Sequence, residues 1–212
     1  MILLIDHSTP QGQVGLADRD RLIDTLPIPP RKRHNVDLMV AVNELCAKHD
    51  VKPDDLSAVF LTLGPGSFTG LRVAVATAKM LALTSPREDF RVVGIPNLDL
   101  LHHQHPQVLI ALNIKRGTAW SVGPDELELV PAFRSLADIK RLGFEHQIPL
   151  IAEKLEHAST PHPGLHGLLE LASRRLRNND ADDPLTLAPA YLREPEAVTL
   201  WNEKEARQRD RP

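Results

Sequence analysis

The stretch GPGSFTGLRVAVATAKMLAL, Gly64 to Leu83, constrains this chain more than any other. Three glycines fall in its first seven positions and none follows, so a tight turn opens directly into a long apolar helix. The run before it, Ala58 to Leu63, is short and continuously apolar, which reads as a buried strand. A turn between strand and helix has two uses: it can cradle a phosphate on its backbone N–H groups, or it can launch the helix. A Walker A loop ends in Gly-Lys-Ser/Thr, whereas Gly70 is followed by Leu71. A dinucleotide fingerprint is spaced G-x-G-x-x-G, whereas the spacing here is G-x-G-x-x-x-G. Ser67 is placed to cap the helix, whose N-terminus can still attract an anion. The purely structural reading gives Gly64, Pro65 and Gly66 to a tight turn with positive φ at the glycines, and gives Gly70 to close backbone packing.

The helices on either side carry more apolar surface than one sheet face needs. At 100° per residue, Gly70, Leu71, Ala74, Val75, Ala78, Leu81 and Ala82 form one apolar arc, extended by Val73, Thr77 and Met80, with Arg72 and Lys79 at a narrow polar edge. A second helix is expected from an Asn35 N-cap to about Lys48, with Asp37, Glu44 and Lys48 as its thin polar stripe. Both arcs are about twice the width of an ordinary surface-helix stripe. Either the two helices cover each other, or they face a partner. The small residues Gly70, Ala74, Ala78 and Ala82, at successive i+4 positions, would let another helix approach closely.

Around this centre the chain reads as α/β. Met1 to Ile5, Gln13 to Ala17 and Arg21 to Ile28 suggest an antiparallel meander that ends at Pro29-Pro30. Arg91 to Ile95 is a further strand and Asn97 to His105 a short helix, completing a parallel strand–helix alternation. From Pro106 a second region holds apolar runs at Val108 to Ile114, Ala119 to Val122 and Ile148 to Ala152. It also holds a helix opened by a Ser135/Asp138 capping box and stopped at Gly143. Gly164 to Arg177 is an amphipathic helix, NNDADDP a turn or exposed loop, and residues 202–212 a charged, disordered tail. The expected division is 1–105, 106–201 and the tail; the sequence shows no internal repeat, although it leaves room for a meander, helix and strand to recur in degraded form in the second region.

Composition excludes several function classes. The formal charge is -3 over 212 residues, with both signs interleaved, so no basic stripe tracks a phosphate backbone. The opening apolar run stops at Asp6, too short for a signal peptide, and Lys79 interrupts the longest later run, so neither export nor a membrane span is expected. The lone Cys46 rules out an internal disulfide and fits a reducing cytosol. Among enzyme readings the strongest uses Asp6 to organise Mg²⁺ with Ser8 and Thr9 on a phosphate. It lacks a second phosphate loop and an adenosine-binding glycine cluster; GLHG, Gly164 to Gly167, reads better as part of the amphipathic helix. His102, His103 and His105 have no Asp, Glu or Cys in their immediate stretch to complete a metal set. Cys46 or Ser67 with His34 makes a nucleophile–base pair on paper only, and no catalytic residue or cofactor is assigned.

The same residues resemble a known family. GPGSFTGLRVAVATAKMLAL is similar to the signature of the TsaB (YeaZ, Gcp-like) family, the partner subunit in threonylcarbamoyladenosine modification of tRNA. ILLIDHST resembles that family's opening strand, His34 stands where it has a histidine entering the first helix, and ALNIKRG and LAPAYLREPEAV are similar to later segments. The resemblance implies an actin-like ATPase (ASKHA, ribonuclease H-like) fold of two related lobes, the second reduced, and a non-catalytic role. It implies a TsaD-like catalytic partner bound through the first two helices, a TsaE-like ATPase that joins, a homodimer when the chain is alone, and tRNA reached only through the complex. The expected interface comprises His34, Leu38, Val42, Leu45, Ser67, Phe68, Thr69, Gly70, Arg72, Ala74, Val75, Ala78 and Ala82. Departures are His7 for the usual threonine beside Asp6, Asn113 and Lys115 for an aspartate and an arginine, a short second half, and LIAEKLEH in place of a glycine-containing turn.

Overall fold

A computed structural model describes the backbone of residues 1–28, 34–152, 155 and 162–190, and the side chains of these except 34–36 and 113. The first sheet starts with an antiparallel meander of β1 (Ile2–Asp6), β2 (Gln13–Asp18) and β3 (Arg21–Pro27). Parallel neighbours require a crossover between them, and the sequence supplies helices for it. Helix α1 (His34–Lys48) leads to β4 (Ala58–Gly64), and α2 (Phe68–Thr84) leads to β5 (Arg91–Pro96). The order is β3-β2-β1-β4-β5, with β1, β4 and β5 parallel.

Side chains alternate between the two faces of the sheet, and each face has its own core. Leu3, Ile5, Val59 and Leu61 meet α1 and α2 through Leu38, Leu45, Ala74 and Ala78. On the other face Leu4, Phe60, Val93 and Ile95 meet Leu100, from α3 (Asn97–Gln104).

The second sheet restates the first in shorter form. β6 (Leu109–Lys115), β7 (Thr118–Val122) and β8 (Ala132–Ser135) make another antiparallel meander. Helix α4 (Leu136–Glu145) then leads to β9 (Leu150–Ala152), parallel to β6, in the order β8-β7-β6-β9. This is the recurrence that the sequence left room for, with one strand fewer. The chain then returns: α5 (Leu165–Arg177) lays Leu165, Leu168, Leu169 and Ala172 against the α3 face of the first sheet.

Several local expectations are corrected. Helix α1 already includes Asn35, so Asn35 is not its N-cap. Helix α4 starts as expected, with the Ser135 hydroxyl capping the Asp138 amide at 3.0 Å, but it runs through Gly143 and turns at Gln147, whose φ is 54°. Strand β8 has no alternating apolar pattern and was not legible. NNDADDP is more than a loop: the Asp182 amide donates to the Val92 carbonyl at 2.8 Å, and the Gly94 amide donates to the Asp182 carboxylate at 2.7 Å. The chain thereby wraps the β5 edge, drops Leu187 into the α1/α2 core, and brings the Ala190 amide to the Leu63 carbonyl at 2.8 Å. Half of LIAEKLEH, the end of LAPAYLREPEAV and the tail 202–212 lie outside the described residues.

Candidate partner-docking face

The glycine motif is a turn packed onto the end of β1. Gly64 has φ +103°, a conformation that side chains rarely adopt. A Cβ on Gly66 would collide with the Ser8 carbonyl, and one on Gly70 with the His7 carbonyl. Close approach, not positive φ, is therefore what Gly66 provides. Four of the amides around the turn are spent inside the chain. Gly64 N–H donates to the Asn97 side chain at 3.1 Å, Ser67 N–H to the Ser8 carbonyl at 2.7 Å, Gly70 N–H to the Ser67 hydroxyl at 3.2 Å and Leu71 N–H to the Ser67 carbonyl at 2.9 Å. The motif launches α2.

Beneath it, Asp6 is closed off. One carboxylate oxygen accepts from the Ser8 amide at 3.0 Å, the Ser8 hydroxyl at 2.6 Å and the Thr62 hydroxyl at 2.8 Å. Burial outweighs these bonds and pushes the carboxyl above its ordinary range. The histidines also diverge: His102 Nε2 lies 3.1 Å from Asp125 and His103 Nε2 lies 2.8 Å from Glu170, so they do not share a ligand set. Cys46 is half-buried in apolar surroundings that push its thiol up, away from the reactive thiolate. Among the described residues no helix is long and apolar enough to cross a membrane.

The surface of α1 and α2 is where the sequence reading both holds and fails. The small-residue stripe does not face outward: Gly70, Ala74 and Ala78 are buried and Ala82 is half-buried. Leu38, Val42, Leu45 and Val75 join them in the core of the first sheet. Small side chains here let α2 settle close to its own sheet and to α1, which leaves only Ala82 partly accessible to another molecule. The opposite half of each arc is what solvent sees. On α2, Phe68 is 53% exposed, Met80 59% and Leu83 62%, with Thr69, Arg72 and Ala76 between them; on α1, Met39 and Val40 are exposed. The Arg72 guanidinium lies 4.0 Å from the centroid of the Phe68 ring. Of the expected interface, Phe68, Thr69 and Arg72 are exposed and Ser67 is half-buried; the His34 side chain lies outside the described residues. Met39, Val40, Met80 and Leu83 are exposed too, although the expected interface did not include them. The excess width of the arcs announced them, but nothing in the pattern told which half would turn outward.

The family model described as TsaD: tRNA N6-adenosine threonylcarbamoyltransferase matches residues 25–109, the segment that carries both helices and the motif. An uncharacterized protein of Mycobacterium tuberculosis is 30% identical over 94% of each chain. The tRNA threonylcarbamoyladenosine biosynthesis protein TsaB of Bacillus subtilis is 27% identical, over 96% of this chain and 99% of its own. The chain belongs to the TsaB family. The fold agrees. The structure of YeaZ from Pseudomonas aeruginosa superposes with a TM-score of 0.65 over 90% of this chain and 99% of its own, at 20% identity. The actin-like arrangement expected of a TsaB-type chain is thus present: two sheets, each a meander extended by parallel strands, two in the first and one in the second.

Proposed function

We propose that this chain is the non-catalytic partner subunit of a TsaD-type threonylcarbamoyltransferase, acting in the formation of threonylcarbamoyladenosine next to the anticodon of tRNA. The observation that carries the reading is the exposed apolar side chains of the two helices, Met39 and Val40 on α1 and Phe68, Met80 and Leu83 on α2, where Arg72 lies over the Phe68 ring. Large apolar side chains left exposed and gathered on one helix face, as the spacing of Phe68, Met80 and Leu83 gathers them, mark a docking site. A TsaD-type subunit shares this lobe's sequence pattern, as the match over residues 25–109 indicates, and so has two comparable helices to lay against it. The corrected interface keeps Phe68, Thr69 and Arg72 and replaces the buried residues by Met39, Val40, Met80 and Leu83.

The remaining roles follow from this face. Alone, the chain pairs with itself through the same helices; the TsaD-type subunit displaces that copy. A TsaE-type ATPase joins the pair, and tRNA is reached only through the complex, since the chain's formal charge of -3 offers no concentrated positive field. The protein works in the cytoplasm. The first lobe, 1–105, carries docking, and the second, 106–201, supports it. Asp6 takes no part in chemistry, because its carboxylate oxygen is occupied by Ser8 and Thr62 and the motif turn packs over the site. The test is reconstitution with the TsaD-type subunit of the same genome. Threonylcarbamoyl transfer to tRNA should require both chains, and this chain alone should neither hydrolyse ATP nor shift tRNA at physiological salt. ATP turnover by the isolated chain, lost in Asp6→Ala, would overturn the reading.

A further inference from the structure

Asn97 opens α3 and is 2% exposed, so it touches no partner. Its carboxamide spans the motif turn: Oδ1 accepts from the Gly64 amide at 3.1 Å, and Nδ2 donates to the Pro65 carbonyl at 3.1 Å. One donor and one acceptor on a short planar side chain fix the turn at two points. The other anchors of this turn, the Ser67 amide on Ser8 and the contacts of Gly66 and Gly70, refer it to the end of β1 in the first sheet. Asn97 stands where β5, whose Pro96 is the ladder partner of Gly64, passes into α3, and so refers the turn to that helix as well. Helix α3 is wedged between the two sheets, with Leu100 in the first sheet's core and Leu98 and Leu101 packed on Ile110, Leu112 and Val122 of the second.

We infer that Asn97 is a positioning residue of the docking face. It fixes the turn from which α2 departs, and it ties the aim of α2 to α3 and thereby to the second sheet. The inference rests on the docking reading given above.

Asn97→Ala and Asn97→Asp in the full chain test it. Aspartate keeps the acceptor for Gly64; ionised, it sets an oxygen against the Pro65 carbonyl, and protonated, it recovers a donor. Both variants are titrated with the TsaD-type subunit from pH about 5 to about 8, each relative to wild type at the same pH, with thermal unfolding alongside. Asn97→Ala should remain folded and bind about tenfold more weakly. Asn97→Asp should bind weakly at high pH and recover towards wild type as pH falls. Hydrogen exchange of Asn97→Ala should rise over residues 64–71 and stay unchanged in β4 from Val59 to Leu61. Wild-type affinity in both variants, a pH-independent deficit in Asn97→Asp, or exchange that rises evenly through the first sheet would overturn the inference. If wild type itself fails to bind the subunit, the docking reading falls, and the exchange pattern alone then decides whether Asn97 fixes the turn.

Discussion

Arg175 on α5 holds Asp182, in the segment that wraps the β5 edge, through two hydrogen bonds of 3.2 Å, while its Nη1 donates to the Gly94 carbonyl at 2.8 Å. Asp180 takes two more bonds, at 2.8 and 2.9 Å, so one guanidinium fastens helix, strand and returning chain together. Lysine cannot reproduce the fork. Arg175→Ala should lower the unfolding free energy by about 1–3 kcal/mol, and Arg175→Lys should recover less than half of that. Denaturant unfolding of the three proteins measures it, and full recovery by lysine would show that charge alone suffices.

A second clamp ties the end of α1 to β3, and it is sensitive to acid. Asp24 accepts from Lys48 at 2.8 Å and lies 2.7 Å from His49 Nε2. Its hydrogen bonds with Lys48, then with His49, hold the carboxyl well below the ordinary value of 3.8. A depressed carboxylate gives stability that is present above the unfolded-state pKa and lost as pH falls through the folded one. Stability should therefore decline below pH about 4, and Asp24→Asn should flatten this acid limb by being less stable than wild type above it, the two converging as pH falls. Thermal midpoints followed from pH about 6 to about 2 check the sign; an unchanged limb in the variant would assign it to other carboxylates.

Both clamps show why legibility stopped where it did. Strand β4, the turn with Gly64 and the start of α2 at Ser67 were readable because period, glycine placement and cap chemistry agreed. The repeated sheet was readable from apolar runs except at β8, where Ala132–Ser135 is paired only to β7 and lacks a buried face. Gly143 misled because a glycine within a helix's last turn looks like one just past it. The docking face was half legible: arc width is local, whereas the half that packs inward depends on where β1, β4 and α1 lie. Met80 and Ala78 illustrate it, two residues apart, one 59% exposed and the other 0%. Asn97 carried no signal at all, because its partners Gly64 and Pro65 are distant in sequence.

Asp6 separates scaffold from enzyme. Burial raises its folded pKa, so this group binds its proton more tightly in the native state, and it alone makes the protein less stable as pH rises above the ordinary carboxylate range. Asparagine stays neutral and keeps an oxygen to accept from Ser8 and Thr62. Asp6→Asn should therefore be at least as stable as wild type at pH about 7, with the difference shrinking towards pH about 4, and should support transfer normally in the reconstituted pair. A variant that associates at full affinity yet abolishes transfer would give Asp6 a chemical role.

The buried stripe and the exposed face answer charge differently. Ala74→Glu or Ala78→Glu places a carboxylate without a partner in the first-sheet core and should unfold the protein, which circular dichroism would register. Met80→Glu and Leu83→Glu put the same charge on solvent and should leave the unfolding free energy within about 0.5 kcal/mol of wild type.

Calorimetric titration of the TsaD-type subunit with wild type and with folded Met80→Glu tests the docking face most directly. Burying that carboxylate against an apolar partner should weaken binding by at least about a hundredfold, roughly 2.7 kcal/mol or more, and light scattering should show the variant monomeric where wild type self-associates. Wild-type affinity in folded Met80→Glu and Leu83→Glu alike would place the interface away from α1 and α2 and contradict the docking face.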